Sequence, residues 1–362
     1  MKIIDYNVSC SEEYSIDGYL SHYYNKEKLL FFDIETTGFI AKNSTLYLIG
    51  VLWYENGNLQ LRQWFNDDGQ CETELIESFT AFSRNFTHLI HFNGIGFDLP
   101  YLRQKAELLS LSFNLEHTMS QIDIYKEIRA YKSIFALDNM KQVSIERFLN
   151  LQREDTYNGK ELINIYQRYV AKPNDESEHL LLLHNHDDLL GMTNISHILH
   201  YKNLFEQVEI FEINMDSTDE QLIIHFSFNP EIPLPRRITA TRNGIYLNAI
   251  DCKGTLYIPI CNDTLKHYFE DYKNYYYLPL EDMAVHKSIA TYVESQNKVK
   301  ATKCTCYIKR TDTFIAYHSN NTSTIFKKEY TDKVCFEPLE TFLNSDFKTQ
   351  CSYIKNTLLT FL

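Results

Sequence analysis

Hydrophobic runs near the start of the chain alternate with short polar breaks in a pattern that is typical of β-strands. The first run, KLLFFDIETTGF, ends in a polar turn, and two further runs follow it, STLYLIGVLWY and LQLRQWF. Glu55, Asn56, Gly57 and Asn58 separate the last two runs, and Asn-Gly is a strong signal for a tight hairpin. The pattern therefore predicts three antiparallel strands.

The pattern then changes to alternating helices and short strands. Apolar residues recur at three- and four-residue steps between Leu75 and Phe82, which predicts a helix. The run HLIHF predicts a short strand, residues 99–109 a second helix, and residues 138–201 an almost continuous helical region. These segments together predict an α/β fold for the first part of the chain.

A different texture begins after about residue 205. Short β-like runs such as QLIIHFSF and TLYIPI are separated by prolines and by the turn Asn243-Gly244. We therefore expect two domains, an α/β domain over residues 1–205 and a smaller β-rich accessory domain over residues 206–362.

Charge narrows the range of functions. The 362 residues include 35 Lys and Arg and 48 Asp and Glu, giving a net charge of −13. A protein that coats nucleic acid without specificity usually carries an excess of basic residues, so that function is disfavoured. A local site that binds its own cations stays compatible with the acidic balance.

The eight cysteines form no CxxC pair, which argues against a zinc ribbon and against a dense disulfide framework. Neither a signal-peptide core nor a membrane-spanning run is visible in the sequence. The sequence predicts a protein that is cytoplasmic and does not bind membranes.

Asp33 and Glu35 lie two residues apart at the end of a hydrophobic strand, and the strand period of two directs both carboxylates to one face. Adjacent carboxylates disfavour each other's ionisation unless they share a proton or a cation, and oxygen ligands suit Mg²⁺ or Mn²⁺. For an isolated Asp-x-Glu pair, a solvated strand end is the alternative.

Two later segments offer further acids. Asp98 follows a second apolar strand at a strand-to-helix junction, where α/β sheets build their sites, although a helix N-cap would also explain it. His184 and Asp188 are four residues apart and share one helix face, which could also be a polar surface. Apolar residues on both sides of this pair favour partial burial and hence a bound cation.

The order and content of these three segments resemble the DEDD superfamily of 3′–5′ exonucleases, which have an RNase H-like mixed sheet flanked by helices. Residues 33–38 (DIETTG) look like the first exonuclease motif, residues 93–98 (NGIGFD) like the second, and residues 184–188 (HNHDD) like the third. The third motif is similar to that of the YprB-like branch of predicted RNase H-like nucleases, because it begins His-Asn and ends in Asp. The similarity covers about residues 28–200.

This resemblance implies a metal-dependent 3′–5′ exonuclease that acts on single-stranded DNA or RNA, or on 3′ ends. It implies two divalent ions, Mg²⁺ or Mn²⁺, for an in-line phosphodiester displacement. Both ions would be held by four catalytic carboxylates: Asp33, Glu35, Asp98 and Asp188. His184 would hold or deprotonate the attacking water.

The third motif departs from the family in one respect. The superfamily usually shows Tyr-x-x-x-Asp or His-x-x-x-x-Asp, whereas here His184 occupies the shorter spacing to Asp188. His186 and Asp187 are therefore alternatives for the proton-transfer role.

The resemblance also suggests substrate contacts beside the acids. These are the residues after the first motif's acids and the residues around the second: Thr36, Thr37, Gly38, Asn93 and Phe97.

The predicted accessory domain contains the most basic stretch of the chain. Residues 286–310 hold six Lys and Arg residues against one acid, Glu294, and Tyr292 and Tyr307 lie among them. Such a stretch fits a groove that binds single strands, and a solvated face with tyrosines in a small β core is the alternative. For the whole protein, the alternatives to an exonuclease are an inactive nucleic-acid-binding module and a nuclease for dinucleotides or short oligonucleotides.

Overall fold

The computed structural model describes residues 1–8, 18–151, 159–318 and 325–362. The β-strands are β1 Lys2–Val8, β2 Leu29–Thr36, β3 Leu46–Glu55, β4 Asn58–Phe65, β5 His88–His91, β6 Ser120–Asp123, β7 Ile210–Ser217, β8 Gln221–Phe228, β9 Leu234–Arg242, β10 Ile245–Asp251, β11 Lys253–Pro259, β12 Cys261–Tyr268, β13 Tyr275–Leu278, β14 Met283–His286, β15 Val299–Lys300, β16 Tyr307–Ala316 and β17 Phe336–Pro338. The α-helices are α1 Tyr19–Tyr23, α2 Glu72–Ser83, α3 Asp98–Leu108, α4 Leu115–Thr118, α5 Ile124–Ile128, α6 Gln142–Phe148, α7 Gly159–Ala171, α8 Asp175–Ile195, α9 His200–Phe205, α10 Lys287–Ala290, α11 Leu339–Leu343 and α12 Phe347–Leu359.

The chain divides into two compact units, residues 1–201 with 231–236 and residues 202–230 with 237–362. In the first unit, a six-stranded sheet has the order β1-β4-β3-β2-β5-β6. Strands β2, β5 and β6 run parallel, whereas β1, β4, β3 and β2 pair antiparallel. The predicted mixed α/β sheet is confirmed. The assignment of an exonuclease domain to residues 1–205 and an accessory domain to residues 206–362 stays a prediction.

The predicted hairpin between β3 and β4 is also confirmed. Glu55 pairs with Asn58, so a two-residue turn joins the strands. Asn56 and Gly57 both have positive φ angles, 50° and 85°, as the tight turns that suit β-hairpins require. This turn fixes the register of β3 and β4, and therefore which side chains share a face with the acids of β2.

Both faces of this sheet are covered, which explains why β2 and β3 read as nearly continuous apolar runs. On one face, Phe32 and Ile34 belong to a core with residues of α2 and α3, such as Phe79 and Leu102. On the other face, residues of β3 and β4 form a core with α7 and with the first half of α8. Asp33 and Glu35 alternate with Phe32 and Ile34 and therefore point toward α8.

The helical region predicted over residues 138–201 contains α6, α7 and α8, and residues 152–158 of it lie outside the described residues. Helix α8 begins after Asn174, whose side chain accepts a hydrogen bond from the Ser177 amide at 2.9 Å. Within the described parts of the chain, no helix is both long and apolar enough to cross a membrane.

The second unit is rich in antiparallel sheet, as predicted. It contains a five-stranded sheet, β7-β8-β11-β10-β9, and two three-stranded sheets, β12-β16-β17 and β14-β13-β15. Residues 339–343 and 347–359 add helices α11 and α12.

Candidate metal centre and active site

Strand β2 presents the first two acids, and α8 packs over them with the third motif. His184 Nε2 lies 3.5 Å from Glu35 Oε1 and 3.5 Å from Asp188 Oδ2. The four-residue spacing thus places His184 and Asp188 on one helix face, as the sequence predicts. Ligand atoms of Glu35, His184 and Asp188 all lie within 4.8 Å of one another, which is close enough to hold one metal ion.

Asp98 follows β5, which neighbours β2 on the edge opposite to β3. It is only 7% exposed and is the first residue of α3, with Phe97 at the N-cap position. The N-cap interpretation of Asp98 is therefore wrong, because Asp98 is already part of the helix and Phe97 occupies the N-cap position. The loop before it is held by Asp123, which accepts hydrogen bonds from the amides of Asn93 and Ile95 at 2.9 and 3.2 Å.

The charges of the other three acids act on Asp33. Burial raises the pKa of Asp33 well above its ordinary value, and the charges of Glu35, Asp98 and Asp188 raise it further. A hydrogen bond from Asn185 acts in the opposite direction. Asp33 and Asn185, which are 152 positions apart in the sequence, are thus in direct contact.

The pKa of Asp98 is also raised, to about 7. Burial is the largest cause, and the charges of Glu35 and Asp123 add to it, whereas a hydrogen bond from the backbone amide of Asp98 acts in the opposite direction. A buried carboxylate that is surrounded by other carboxylates is costly to ionise unless a cation joins it.

These observations fit a divalent cation. Carboxylate oxygens are donors that suit Mg²⁺ or Mn²⁺, and burial, with the charges of neighbouring carboxylates adding to it, raises the pKa values of Asp33 and Asp98. Of the four predicted ligands, Glu35 and Asp188 belong with His184 to the group that could hold an ion, and metal binding by Asp33 and Asp98 stays a prediction.

A second group of possible ligands has another explanation. Asp67, Asp68 and Cys71 lie close together, but the amino group of Met1 sits 2.9 Å from Asp67 Oδ1 and donates a hydrogen bond to Cys71 Sγ at 3.0 Å. An ammonium group thus already compensates this cluster.

The structure places His186 away from the acids. Its ring packs edge-on against Tyr6 of the edge strand β1, at 5.1 Å between centroids, and its Nδ1 lies 3.2 Å from Asp187 Oδ1. Strands β4 and β3 separate β1 from β2. This position favours His184 over His186 and Asp187 as the group that faces the site.

The two threonines near the end of the first motif form hydrogen bonds within their own loop. Thr36 Oγ1 donates to the Gly38 carbonyl at 2.9 Å, and the Thr37 hydroxyl accepts from the Thr45 amide at 2.8 Å. The Thr37 amide also donates to the Thr45 carbonyl at 2.9 Å. These residues fix the loop after β2, and their predicted contact with substrate stays a prediction.

The residues predicted around the second motif lie at the surface. Asn93 is exposed and has a φ of +63°, and its carbonyl accepts hydrogen bonds from the amides of Gly96 and Phe97. The half-buried Phe97 ring contacts Phe39, with 5.7 Å between centroids. Phe39 directly follows Gly38 and is 88% exposed. It was not predicted as a substrate-binding residue, because in the sequence it looks like the end of an apolar run.

Three further polar residues that the sequence did not single out contact the acids or their neighbours. Tyr47 donates a hydrogen bond to Glu35 Oε2 at 3.2 Å from a position that is 1% exposed. Asn185 donates to Asp33 Oδ2 at 2.9 Å, and Gln63 donates to Asn185 Oδ1 at 2.9 Å. Asn185 lies inside the third motif, which is the one signal that could have drawn attention to it.

Comparison with known proteins agrees with this architecture. Residues 30–200, less than half of the chain, match the model of a family in the RNase H superfamily. This match and the mixed sheet assign the region an RNase H-like fold and suggest a nuclease. No curated protein matches the chain.

Among solved structures, the chain is similar to the family B DNA polymerase from the hyperthermophilic archaeon Pyrobaculum calidifontis. The sequence identity is 15% and the TM-score is 0.38. The similarity covers 47% of this chain and only 24% of the polymerase, and a TM-score of this size does not define a shared fold.

Proposed function

We propose that the protein is a metal-dependent 3′–5′ exonuclease of the DEDD type, similar to the YprB-like branch, that hydrolyses single-stranded DNA or RNA. The observation that carries this proposal is the position of Glu35 and Asp188 around His184, with Asp33 on the same strand as Glu35 and bound by Asn185 of α8. The RNase H superfamily match supports the nuclease class. The 3′–5′ polarity rests on the resemblance of the three motifs to those of DEDD exonucleases.

In the proposed reaction the four carboxylates would hold two divalent cations, Mg²⁺ or Mn²⁺. Those cations would activate water and stabilise the charge that develops during in-line displacement at phosphorus. His184 Nε2, which faces Glu35 and Asp188, accepts the proton of the attacking water.

Substrate contacts in this proposal come from the surface beside the acids. The exposed ring of Phe39 and the half-buried ring of Phe97 offer apolar surface on which a terminal base stacks. Asn93 and the loop of Thr36, Thr37 and Gly38 then contact the terminal nucleotide.

The test is digestion of 5′-labelled and 3′-labelled DNA and RNA oligonucleotides, single- and double-stranded, with Mg²⁺, Mn²⁺ or EDTA. A metal-dependent ladder from 5′-labelled single strands, with early release of the label from 3′-labelled ones, is expected. Asp33→Asn and Asp188→Asn should abolish the ladder without unfolding the protein, because each removes charge from a crowded site. Asp5→Asn is the matched control, since Asp5 is a surface acid that pairs with Arg62.

Three results would contradict the proposal. Undiminished hydrolysis by Asp33→Asn or Asp188→Asn would show that the reaction uses another site. Binding of single strands without cleavage in either metal would identify an inactive binding module. Cleavage confined to dinucleotides and very short oligonucleotides would replace the proposed substrate by short fragments.

A further inference from the structure

We propose that Gln63 and Asn185 are positioning residues that hold the Asp33 carboxylate in the orientation needed to bind a divalent cation. This inference rests on the proposed function, in which Asp33 is a metal ligand. It concerns two amides: Gln63 on β4, which lies in none of the three motifs, and Asn185 on α8, which lies inside the third motif. Neither amide is among the ligands themselves, so both act through Asp33.

The hydrogen bonds leave one consistent orientation for both amides. Gln63 lies within 2.9 Å of the Leu182 carbonyl oxygen, which only accepts, so the Gln63 atom there is the donor Nε2. The same Nε2 lies 2.9 Å from the Asn185 side chain, whose nearest atom must therefore be the acceptor Oδ1. Asn185 Nδ2 is thereby turned to Asp33 Oδ2, at 2.9 Å. A backbone carbonyl of α8 thus fixes a donor to the carboxylate.

The sheet leaves a space for this chain of hydrogen bonds. Asp33, Gly50 and Gln63 are register partners across β2, β3 and β4, so the three residues form one row. Asn185 of α8 lies over the middle of that row, where a Cβ on Gly50 would come within 1.9 Å of Asn185 Oδ1. A residue with a side chain at position 50 would displace Asn185.

Burial argues that these amides are retained for their donors. Gln63 and Asn185 are both fully buried, and burying an amide is unfavourable unless hydrogen bonds replace its contacts with water. Among the described residues, Gln63 Oε1 has no hydrogen-bond partner, so the acceptor half of that amide gains nothing. The two bonds donated by Nε2 are what the Gln63 amide contributes.

A neutral donor suits a metal ligand better than a cationic one. A cationic donor to Asp33, such as a lysine or an arginine, would cancel part of the charge that attracts a cation. The Asn185 amide instead occupies Oδ2 and leaves the full negative charge of Asp33 for the ion. Hydrogen-bond partners of ligating carboxylates are typically worth about 10–100-fold in metal affinity.

The experiment is a calorimetric titration of the full-length protein with Mn²⁺ alone, without nucleic acid. Asn185→Ala should weaken Mn²⁺ binding by about 10–100-fold. Asn185→Leu, which keeps the branched shape of the side chain without its polar atoms, should give a similar loss. Gln63→Met should give a smaller loss, because Asn185 can still donate from part of its orientations. The double variant Gln63→Met with Asn185→Ala should bind no more weakly than Asn185→Ala, since Gln63 acts through Asn185.

Thr193→Val is the matched control. Thr193 is a buried residue of the same helix, and its hydroxyl donates to the Leu190 carbonyl within α8. It should change thermal stability without changing Mn²⁺ affinity. Circular dichroism of every variant identifies those that remain folded, and if Asn185→Ala does not fold, Asn185→Leu and Gln63→Met supply the measurement.

The outcomes separate this inference from the proposed function. Wild-type Mn²⁺ affinity in folded Asn185 variants, or losses that add fully in the double variant, would overturn the positioning role. Failure of the proposed metal site would appear differently, as no Mn²⁺ binding by the wild-type protein or as undiminished binding by Asp33→Asn.

Discussion

Among single residues, His184 has a role that kinetics can separate from the role of the acids. Its Nε2 faces Glu35 and Asp188, whereas His186 on the next part of the helix contacts Tyr6. We expect His184→Ala to lower kcat by roughly 10²–10⁴-fold while the carboxylates still bind Mn²⁺. His186→Ala should have a much smaller effect. Equal losses in the two variants, measured on a labelled single strand, would contradict this assignment.

Asp98 makes the metal-free protein sensitive to pH. Its pKa is raised to about 7 in the folded protein from an ordinary value of 3.8, so the folded state holds a proton that the unfolded chain has lost. That contribution to stability is fully present below pH 3.8 and is lost as the pH rises toward 7. In EDTA, Asp98→Asn should therefore melt at a higher temperature than wild type at pH 7.5, and this advantage should shrink toward pH 4. A Tm difference that is independent of pH would contradict the expectation.

The sequence was informative about acids and much less about the amides beside them. Asp33 and Glu35 are conspicuous because two carboxylates interrupt an apolar strand, and unpaired charge there needs a reason. Gln63 has no such signal, since a polar residue in an alternating strand usually faces water, yet it is fully buried. Its partner Asn185 lies 122 residues away, and that contact depends on how α8 packs across the sheet.

At the scale of elements, the close approach of α8 to β3 depends on Gly50. A Cβ at this position would lie 1.9 Å from Asn185 Oδ1 and 2.7 Å from Leu189 Cδ1. We expect Gly50→Ala to move Asn185 off Asp33, to weaken Mn²⁺ binding and to lower Tm, because the packed helix has little room to shift. Calorimetry and thermal melts of the purified variant measure both effects. A variant with wild-type Mn²⁺ affinity would show that α8 adapts without loss.

The local sequence pattern predicted those helices and strands whose signals lie within a few neighbouring residues. The β3–β4 hairpin depends on Asn56 and Gly57, and α2 and α8 follow from apolar spacing, so all three were predictable. Strand β1 was not predicted, because its pairing partner β4 lies more than fifty residues away and no local turn joins them. Long-range pairing of this kind depends on which edge of the sheet is left open.

For the whole molecule, the −13 net charge must be reconciled with the polyanionic substrate of the proposed function. The basic stretch over residues 286–310 is the natural candidate for attracting it, but most of its cations are engaged within their own unit. Those pairs are Lys287 with Asn274, Lys298 with the carbonyls of Ala290 and Val293, Lys309 with Asp282, and Arg310 with Asp312.

The tyrosines of this unit are also largely used in packing. Tyr275 stacks on Phe269 at 4.7 Å between centroids, and Tyr277 donates a hydrogen bond to Asp282 at 2.6 Å. Tyr292, in contrast, is 92% exposed. A surface that binds single strands would therefore be centred on Tyr292 and on exposed lysines such as Lys300 and Lys303.

Lys300 and Lys303 are accordingly the residues with which to test substrate capture. Lys300→Glu with Lys303→Glu should weaken binding of single strands and flatten its salt dependence, because fewer counterions are released. The slope of log K against log salt should fall by about 1.4 if each lysine contacts one phosphate, at about 0.7 per contact on single strands. Turnover at saturating substrate should stay unchanged, since no acid of the metal centre is altered.

The matched control reverses two exposed lysines of the same unit outside the basic stretch, Lys253→Glu with Lys333→Glu. This variant has the same net charge as the first, so a general effect of charge would weaken binding equally in both. A specific surface requires the larger loss of affinity and slope in the Lys300 and Lys303 variant. Equal behaviour of the two variants would assign the second unit a structural or protein-binding role and leave substrate capture to the surface around Phe39.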